Sequence, residues 1–452
     1  MGSLSKGSAL VLILLVAASS PGFLVVKSAF AQQSGIDWWP MLGHDLTHNG
    51  YSTSAATLTN ETLWTYETGS MVDSSPVVAN NVVYVGSDDG KVYALNASTG
   101  NCLWTCNTEG SVYCSASVVN GVVYDGSDTG YVFALNATDG TKLWGVDVGS
   151  GPFAESSPAV SGKAVYVGGS GDLYALNAND GSTLWTFSCA YPTNGNDNSV
   201  ISSPAVSDGV VYFGSENGYV YALNASSGKE LWSFKAGSSI YVPSDEAGTG
   251  VCASPTVSNG RVYIGSVDGN FYALDAFTGS EVWNFTNGGV GWSVAAVANG
   301  IVYFGSIDDN LYALNSSNGS KLWNFTTGGG ASGPAVANGI VYFGSTDHKV
   351  YGLNAKTGTR VWSYLTGLTV TSSPTIANGV VYVGSDDDKV YAFGSSGTTQ
   401  SSSSLSSTNS PTSTPSPSVP EFPSLLIIVP LLLSVLSVAV VFRHRKTANL
   451  KQ

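Results

Sequence analysis

A tryptophan returns eight times at near-regular intervals, at Trp64, Trp104, Trp144, Trp185, Trp232, Trp283, Trp323 and Trp362, with spacings of 40, 40, 41, 47, 51, 40 and 39 residues. Around each lies one phrase: Ser-Ser-Pro, a β-branched pair, Asn-Gly, Val-Tyr-x-Gly-Ser, an acidic turn, Tyr-Ala-Leu-Asn-Ala, Thr-Gly, then Leu-Trp. A unit of this size cannot bury its own apolar face, so neighbouring copies must stack to build a core. Within the copy from Leu63 to Trp104, four short segments alternate apolar and polar residues, and Gly, Asn or Asp separates them. That pattern predicts four antiparallel strands joined by tight turns, the blade of a β-propeller. Composition points the same way, because Gly 54 and Tyr 23 against Met 3 suit turn-rich strands and exclude a helical bundle.

Pro76 recurs as Pro158, Pro204, Pro255, Pro334 and Pro374. Proline lacks a backbone N–H, so the Ser-Ser-Pro strand must lie at a sheet edge. In a propeller that edge is the innermost one, and its small residues are expected to line a central channel. The eighth copy stops at Val390-Tyr391-Ala392-Phe393 without its Trp strand, whereas Glu61-Thr62-Leu63-Trp64 is a Trp strand with nothing before it. The N-terminal strand is therefore predicted to complete the last blade, which removes the open seam. The fold class is all-β: one eight-bladed propeller over residues 61–394, after a lead-in at 32–60.

Ala94-Leu95-Asn96-Ala97-x-x-Gly100-x-x-x-Trp104 and its copies resemble the tryptophan-docking motif of the pyrroloquinoline-quinone (PQQ) repeat superfamily. Trp38-Trp39-Pro40-Met41-x-x-His44-Asp45-x-x-His48-Asn49-Gly50 is similar to the lead-in that precedes such propellers. The resemblance spans about residues 37 to 394 and implies a fold, not an activity, because the superfamily holds quinoprotein dehydrogenases, an outer-membrane assembly scaffold and many surface proteins. For the dehydrogenases it implies a disulfide between adjacent cysteines stacked on the quinone, and carboxylates holding calcium beside a catalytic Asp. Cys102, Cys106, Cys114, Cys189 and Cys252 include no adjacent pair, and no long insertion is present to roof a cofactor. His44, His48, His348 and His444 are too scattered for a triad or a histidine metal site. His44 and His48 fit better as part of a packed lead-in. No catalytic residue, cofactor or metal ligand is assigned, and the chain is expected not to be an enzyme.

Both ends carry addresses. Ala9 to Ala18, after Lys6, is too short an apolar run to span a bilayer, and Ala29-Phe30-Ala31 follows as a cleavage site, so residues 1–31 read as a signal peptide, with a retained anchor as the alternative. Residues 395–420 form a Ser/Thr/Pro-rich stalk. Leu425 to Phe442 is uncharged and long enough to be a transmembrane helix, and Arg443-His444-Arg445-Lys446 sets the C-terminus inside. Pro420-Glu421-Phe422 with the apolar segment and basic tail, over 421–446, resembles the archaeal PEF-type sorting signal; a plain single-pass anchor is the alternative. Either places the propeller on the extracellular face of the membrane.

The net charge of −14 argues against a nucleic-acid partner. A monomeric protein-interaction scaffold, binding another surface protein or an envelope component, is the expected function; a small-ligand binder is the alternative, and a PQQ-dependent dehydrogenase ranks behind both. Strand order puts the acidic turns and the Trp-to-Ser connections on one face, the top, and the Asn-Ala-x-x-Gly turns on the bottom. The top turns carry Asp88, Asp89, Asp128, Asp172, Glu216, Asp268, Asp308, Asp309, Asp347, Asp386, Asp387 and Asp388, either a ring of charge or plain turn chemistry. Two connections exceed the repeat, Thr186 to Ile201 and Ser233 to Ala253, and bring Tyr191, Asp197, Tyr241 and Asp245 to the same face. The residue before Ser-Ser-Pro varies from copy to copy, as Asp73, Cys114, Glu155, Ile201, Cys252, Trp292, Ala331 and Thr371, and should ring the channel mouth. Cys106 with Cys114, and Cys189 with Cys252, are candidate disulfides. Asn-x-Ser/Thr sites at Asn60, Asn96, Asn136, Asn224, Asn284, Asn315, Asn318 and Asn324 permit glycosylation on export.

Overall fold

The computed structural model describes residues 37–55, 57–149, 156–189, 199–236, 250–287 and 293–395. They form eight sheets. Blade 1 is typical: Val77–Ala79, Val82–Ser87, Lys91–Asn96 and Cys102–Asn107 pair in chain order, each antiparallel to the last. The innermost strand is three residues long and ends in a tight turn, in blades 2 and 6 as well, where Ala116 and Ala295 replace the preceding proline. In blade 2 that turn is Asn120-Gly121, both at positive φ (53° and 78°), the twist a two-residue hairpin prefers. A register shift at Ala94/Leu95 turns Trp104 out of simple alternation and into the next interface.

The repeated Trp, Tyr, Ala and Gly form one joint. The Trp104 indole N–H and the Tyr84 hydroxyl both donate to Ala137 O of blade 2, at 3.0 and 3.3 Å, and Trp64 and Tyr382 do the same to Ala97 O at 2.9 and 3.1 Å. The indole lies flat on the glycine of the next blade: at Gly140 (φ +72°) a Cβ would sit 2.5 Å from Trp104 Cε3. Gly140→Ala should therefore destabilise the protein by at least about 1–3 kcal/mol, since left-handed strain and indole displacement act together. Denaturant unfolding measures it, and a change within 0.5 kcal/mol of zero would contradict the joint.

The ring closes as the repeat pattern predicts. Thr62–Glu67 pairs antiparallel with Lys389–Phe393 as the outermost strand of blade 8. The junction between blades 7 and 8 departs from the rule, because the chain leaves blade 8 at Phe393-Gly394 and supplies no Asn-Ala turn. Tyr342 donates instead to Thr57 O at 2.6 Å, and the buried Trp362 indole N–H has no partner.

The axis differs from the expected channel. The lead-in winds round it and pairs with the inner edges of six blades through its own backbone. Trp39 exchanges two hydrogen bonds with Val78, and Val118, Val206, Val257, Val297 and Val336 donate N–H groups to Pro40, Leu46, Thr47, Asn49 and Gly50. Tyr51–Ser52 then adds a fifth, parallel strand to blade 7. Edges that would otherwise be orphaned in the bottom half of the axis are thus satisfied. Among the described residues no helix is long and apolar enough to cross a membrane; residues 425–442 lie outside them.

Candidate functional site

The two serines of Ser-Ser-Pro have different tasks. The first turns into its own blade: Ser74 Oγ donates to Gly86 O and accepts the Gly86 N–H, both at 2.9 Å. The second turns to the axis and links blades. Ser373 N–H donates to Ser75 Oγ, Ser75 to Ser115, Ser115 to Ser157, Ser157 to Ser203 and Ser203 to Ser254, at 2.8–3.0 Å. The arc stops where blades 6 and 7 carry Val294 and Gly333 in that place. These serines are the wall of a funnel of about 360 Å³ at the top of the axis, and Leu42 of the lead-in lines it with them.

Of the expected mouth residues, Asp73, Ile201, Cys252 and Thr371 line the funnel. Cys114 does not, and Tyr113 stands in its place. Blade 2 reads Tyr113-Cys114-Ser115-Ala116, so without the proline as a marker the alignment slips by one; Cys114 holds the position of the first serine and faces its own blade. Its Sγ lies 3.1 Å from Asp125 Oδ1 and 3.2 Å from Gly126 O. Glu155, Trp292, Tyr191, Asp197, Tyr241 and Asp245 lie outside the described residues.

Neither candidate disulfide forms. Cys106, Cys114 and Cys189 are free thiols, and Cys252 packs with Ile201 and Val267. Asp125 itself went unnoticed at the variable place of Val-Tyr-x-Gly. Its counterparts are Val85, Val167, Phe213, Ile264, Phe304, Phe343 and Val383, all apolar, and this break in the repeat was the available signal. Asp125 is fully buried, its Oδ1 accepts the Gly126 N–H and the Cys114 thiol, and its Oδ2 has no partner. Burial pushes its carboxyl up to about 7.

The acidic turns divide into two classes one residue apart. Asp89, Asp308, Asp347 and Asp387 each accept the hydroxyl of the tyrosine four residues on, at 2.5–2.6 Å, and are turn chemistry. Asp88, Asp128 and Asp386, the preceding residue in three adjacent blades, take no such bond. Thr371 Oγ1 donates to Asp73 Oδ1 at 2.6 Å and lies 3.4 Å from Asp386 Oδ1, so carboxylates of blades 1 and 8 meet at the mouth. Burial and then the Asp73 charge push Asp386 up to about 7, and burial followed by Asp73 and Asp128 does the same to Asp88. Among the described residues no lysine or arginine pairs with any of the four. Across the ring the funnel wall of blades 4 to 6 is Ile201, Cys252 and Val294, with Val267 packed on Ile201 and Cys252, while Glu216 of blade 4 holds the turn position of Asp88.

The lead-in histidines hold the lead-in. His44 Nε2 lies 3.0 Å from Asp37 Oδ1, and Asp37 Oδ2 also accepts from Ser52 Oγ at 2.9 Å. Burial opposes protonation of His44, yet Asp37 and Asp45 lift it to about 9. His48 Nδ1 lies 3.0 Å from Pro255 O, and burial lowers that imidazole to about 4. On the bottom face, the sequon residues Asn136 and Asn315 cap their turns by accepting the N–H groups of Thr138 and Ser317, each at 2.8 Å.

Several solved structures share the architecture. BamB from Moraxella catarrhalis superposes with a TM-score of 0.62 at 21% identity, over 74% of this chain and 99% of that one. Quinohemoprotein alcohol dehydrogenase from Comamonas testosteroni gives 0.66 at 16%, over 79% and 80%, and a europium-containing methanol dehydrogenase gives 0.66 at 14%, over 79% and 98%. At these identities the likeness is one of fold. A search of curated proteins finds no match. A family model described as outer membrane protein assembly factor BamB matches residues 48–217, 198–289 and 277–418. The chain therefore belongs to this family of PQQ-like propellers.

Proposed function

We propose that the protein is a non-enzymatic propeller, held on the extracellular face of the membrane, that serves as a protein-interaction scaffold through its top face. The observation that carries this reading is the funnel mouth, where Asp73 and Asp386 of neighbouring blades meet across Thr371, with Asp88 and Asp128 in the adjoining cleft, and none of the four has a lysine or arginine partner among the described residues. Groups left in that condition on a rigid scaffold are suited to complementing a partner's charge. The relation to an assembly factor is consistent with such a role. The signal-like N-terminus, the stalk and the apolar C-terminal segment, whether a PEF-type sorting signal or a plain anchor, support display at the surface.

The residues of the funnel do not suit the quinone of the related dehydrogenases. That cofactor is a tricarboxylate, and here it would meet Asp73, with Asp386 beside it across Thr371, and no lysine or arginine among the described lining residues. The second reading, an extracytoplasmic small-ligand binder, is favoured by the funnel's volume, which falls in the range of small-molecule sites.

Capture by the full chain from native envelope should distinguish the faces. Charge reversal at Asp73 and Asp386 is expected to weaken partner binding about tenfold or more at low salt and to flatten its salt dependence. Phe277→Ala, which removes the 91%-exposed ring from a bottom turn, should leave it unchanged. The opposite pattern would place the interface on the bottom.

A further inference from the structure

We infer that the funnel takes an organic cation, an ammonium or guanidinium group flanked by oxygen acceptors, seated between Asp73 and Asp386 of blades 1 and 8 and the apolar side chains Ile201, Cys252 and Val294 of blades 4 to 6. The inference rests on the reading of the top face as the recognition surface and specifies what is recognised there.

Two independent observations converge on this chemistry. The first is the carboxylate group. Asp73 and Asp386 share the Thr371 hydroxyl, which has one proton to give, Asp386 also accepts from the Thr369 hydroxyl, and Asp88, in the adjoining cleft between blades 1 and 2, feels Asp73, Asp128, Asp89 and Asp388. One oxygen each of Asp88 and Asp128 is shielded from solvent and has no hydrogen-bond partner. Tyr113 of blade 2 is the other titratable group facing the same charges. Asp89 is neutralised by Lys91 at 2.7 Å, but among the described residues no lysine or arginine reaches Asp73, Asp88, Asp128 or Asp386. Like charges crowded in this way bind either protons or a cation.

The second observation lies deeper. Ser115, Ser157, Ser203 and Ser254 are between 3% and 6% exposed, each side chain lines the funnel, and each Oγ accepts a backbone N–H from the blade before it. Among the described residues their own O–H groups have no acceptor, although a buried hydroxyl normally donates. A ligand that answers both observations brings a positive charge to the rim and oxygen acceptors to the serine arc. Its aliphatic part meets Ile201, Cys252 and Val294. A lysyl or arginyl side chain with its adjoining peptide carbonyls has this make-up, and so has an amino sugar.

The test is calorimetric titration of the full chain in non-ionic detergent at low salt and pH 7. Two pairs of probes separate the sources: end-blocked Gly-Lys-Gly against end-blocked Gly-norleucine-Gly, and glucosamine against glucose. At least one cationic probe should bind ten or more times more tightly than its neutral isostere. Binding should also release protons, read as a heat that changes with the buffer's ionisation enthalpy, because the cation displaces the proton held by Asp386. Preference for the lysyl peptide assigns the group to a partner's side chain, and preference for glucosamine assigns it to a free amine. The double variant Asp73→Asn, Asp386→Asn should abolish the preference. Equal binding of cation and isostere, or proton release by calcium alone, overturns the inference. If partner capture still depends on the top face after that outcome, the scaffold reading survives; if capture moves to the bottom face, that reading has failed as well.

Discussion

Removal of residues 61–66 should abolish the folded state of the whole ring, not of one blade. This segment supplies most of the outermost strand of blade 8, and with it Trp64, whose indole covers Gly100 and donates to Ala97 O. Without it, Lys389–Phe393 becomes an apolar edge and the joint between blades 8 and 1 is lost, so a closed ring becomes an open array. The energy of a complete strand exceeds the usual margin of about 5–15 kcal/mol. Trp64→Ala is the milder form and should cost about 3–5 kcal/mol, as for other buried tryptophans. Both are measured by denaturant unfolding of the full chain, in which deletion of residues 400–415 of the stalk should change nothing. Loss of a single blade's signal while the others unfold at their usual midpoint would show that the blades are independent.

Replacing Asp125 with valine should stabilise the protein, by an amount that depends on pH. The buried carboxyl titrates near 7 in the fold against 3.8 unfolded. The folded state therefore keeps the proton that the unfolded state gives up: the penalty is absent below pH 4, grows as pH rises, and levels off above 7. Its full size is on the order of 4 kcal/mol. Valine is what blades 1, 3 and 8 already carry there, so the cavity is expected to accept it. The difference in unfolding free energy between Asp125→Val and the parent should thus widen from pH 4 to pH 7 and then stay constant. Taking the difference cancels the parallel titration of Asp88 and Asp386. A constant difference from pH 4 to 8 would show that Asp125 is ionised throughout or has a partner.

The parts of this architecture that were legible in the sequence are those made by side chains at fixed intervals. Trp104, Gly140 and Ala137 recur because one joint recurs, and the unmatched Trp64 strand announced the closure. The lead-in's path was not legible, because its bonds to six blades come from backbone groups of an irregular segment, which leave no residue pattern. The slip from Tyr113 to Cys114 followed from a lost landmark, since Ala116 replaces the proline that marks the strand. In the turns, the same residue type serves two purposes one position apart. Asp89 is held by Tyr93, whereas Asp88 is not, and only the geometry separates them. In the sequence the serines register only as small residues lining a channel; that each Oγ accepts an N–H from the blade before it depends on how neighbouring blades are placed, which no residue pattern records.

The central claim, that recognition takes place at the funnel mouth, is tested most directly by site-specific photo-crosslinking in intact cells. A photo-reactive phenylalanine analogue replaces Thr371 at the mouth, or Phe277 on the bottom face, and the adducts are identified by mass spectrometry. The predicted result is one dominant adduct from position 371, suppressed when Asp73 is reversed to lysine, and none from position 277. A dominant adduct from position 277 with none from 371 would contradict it.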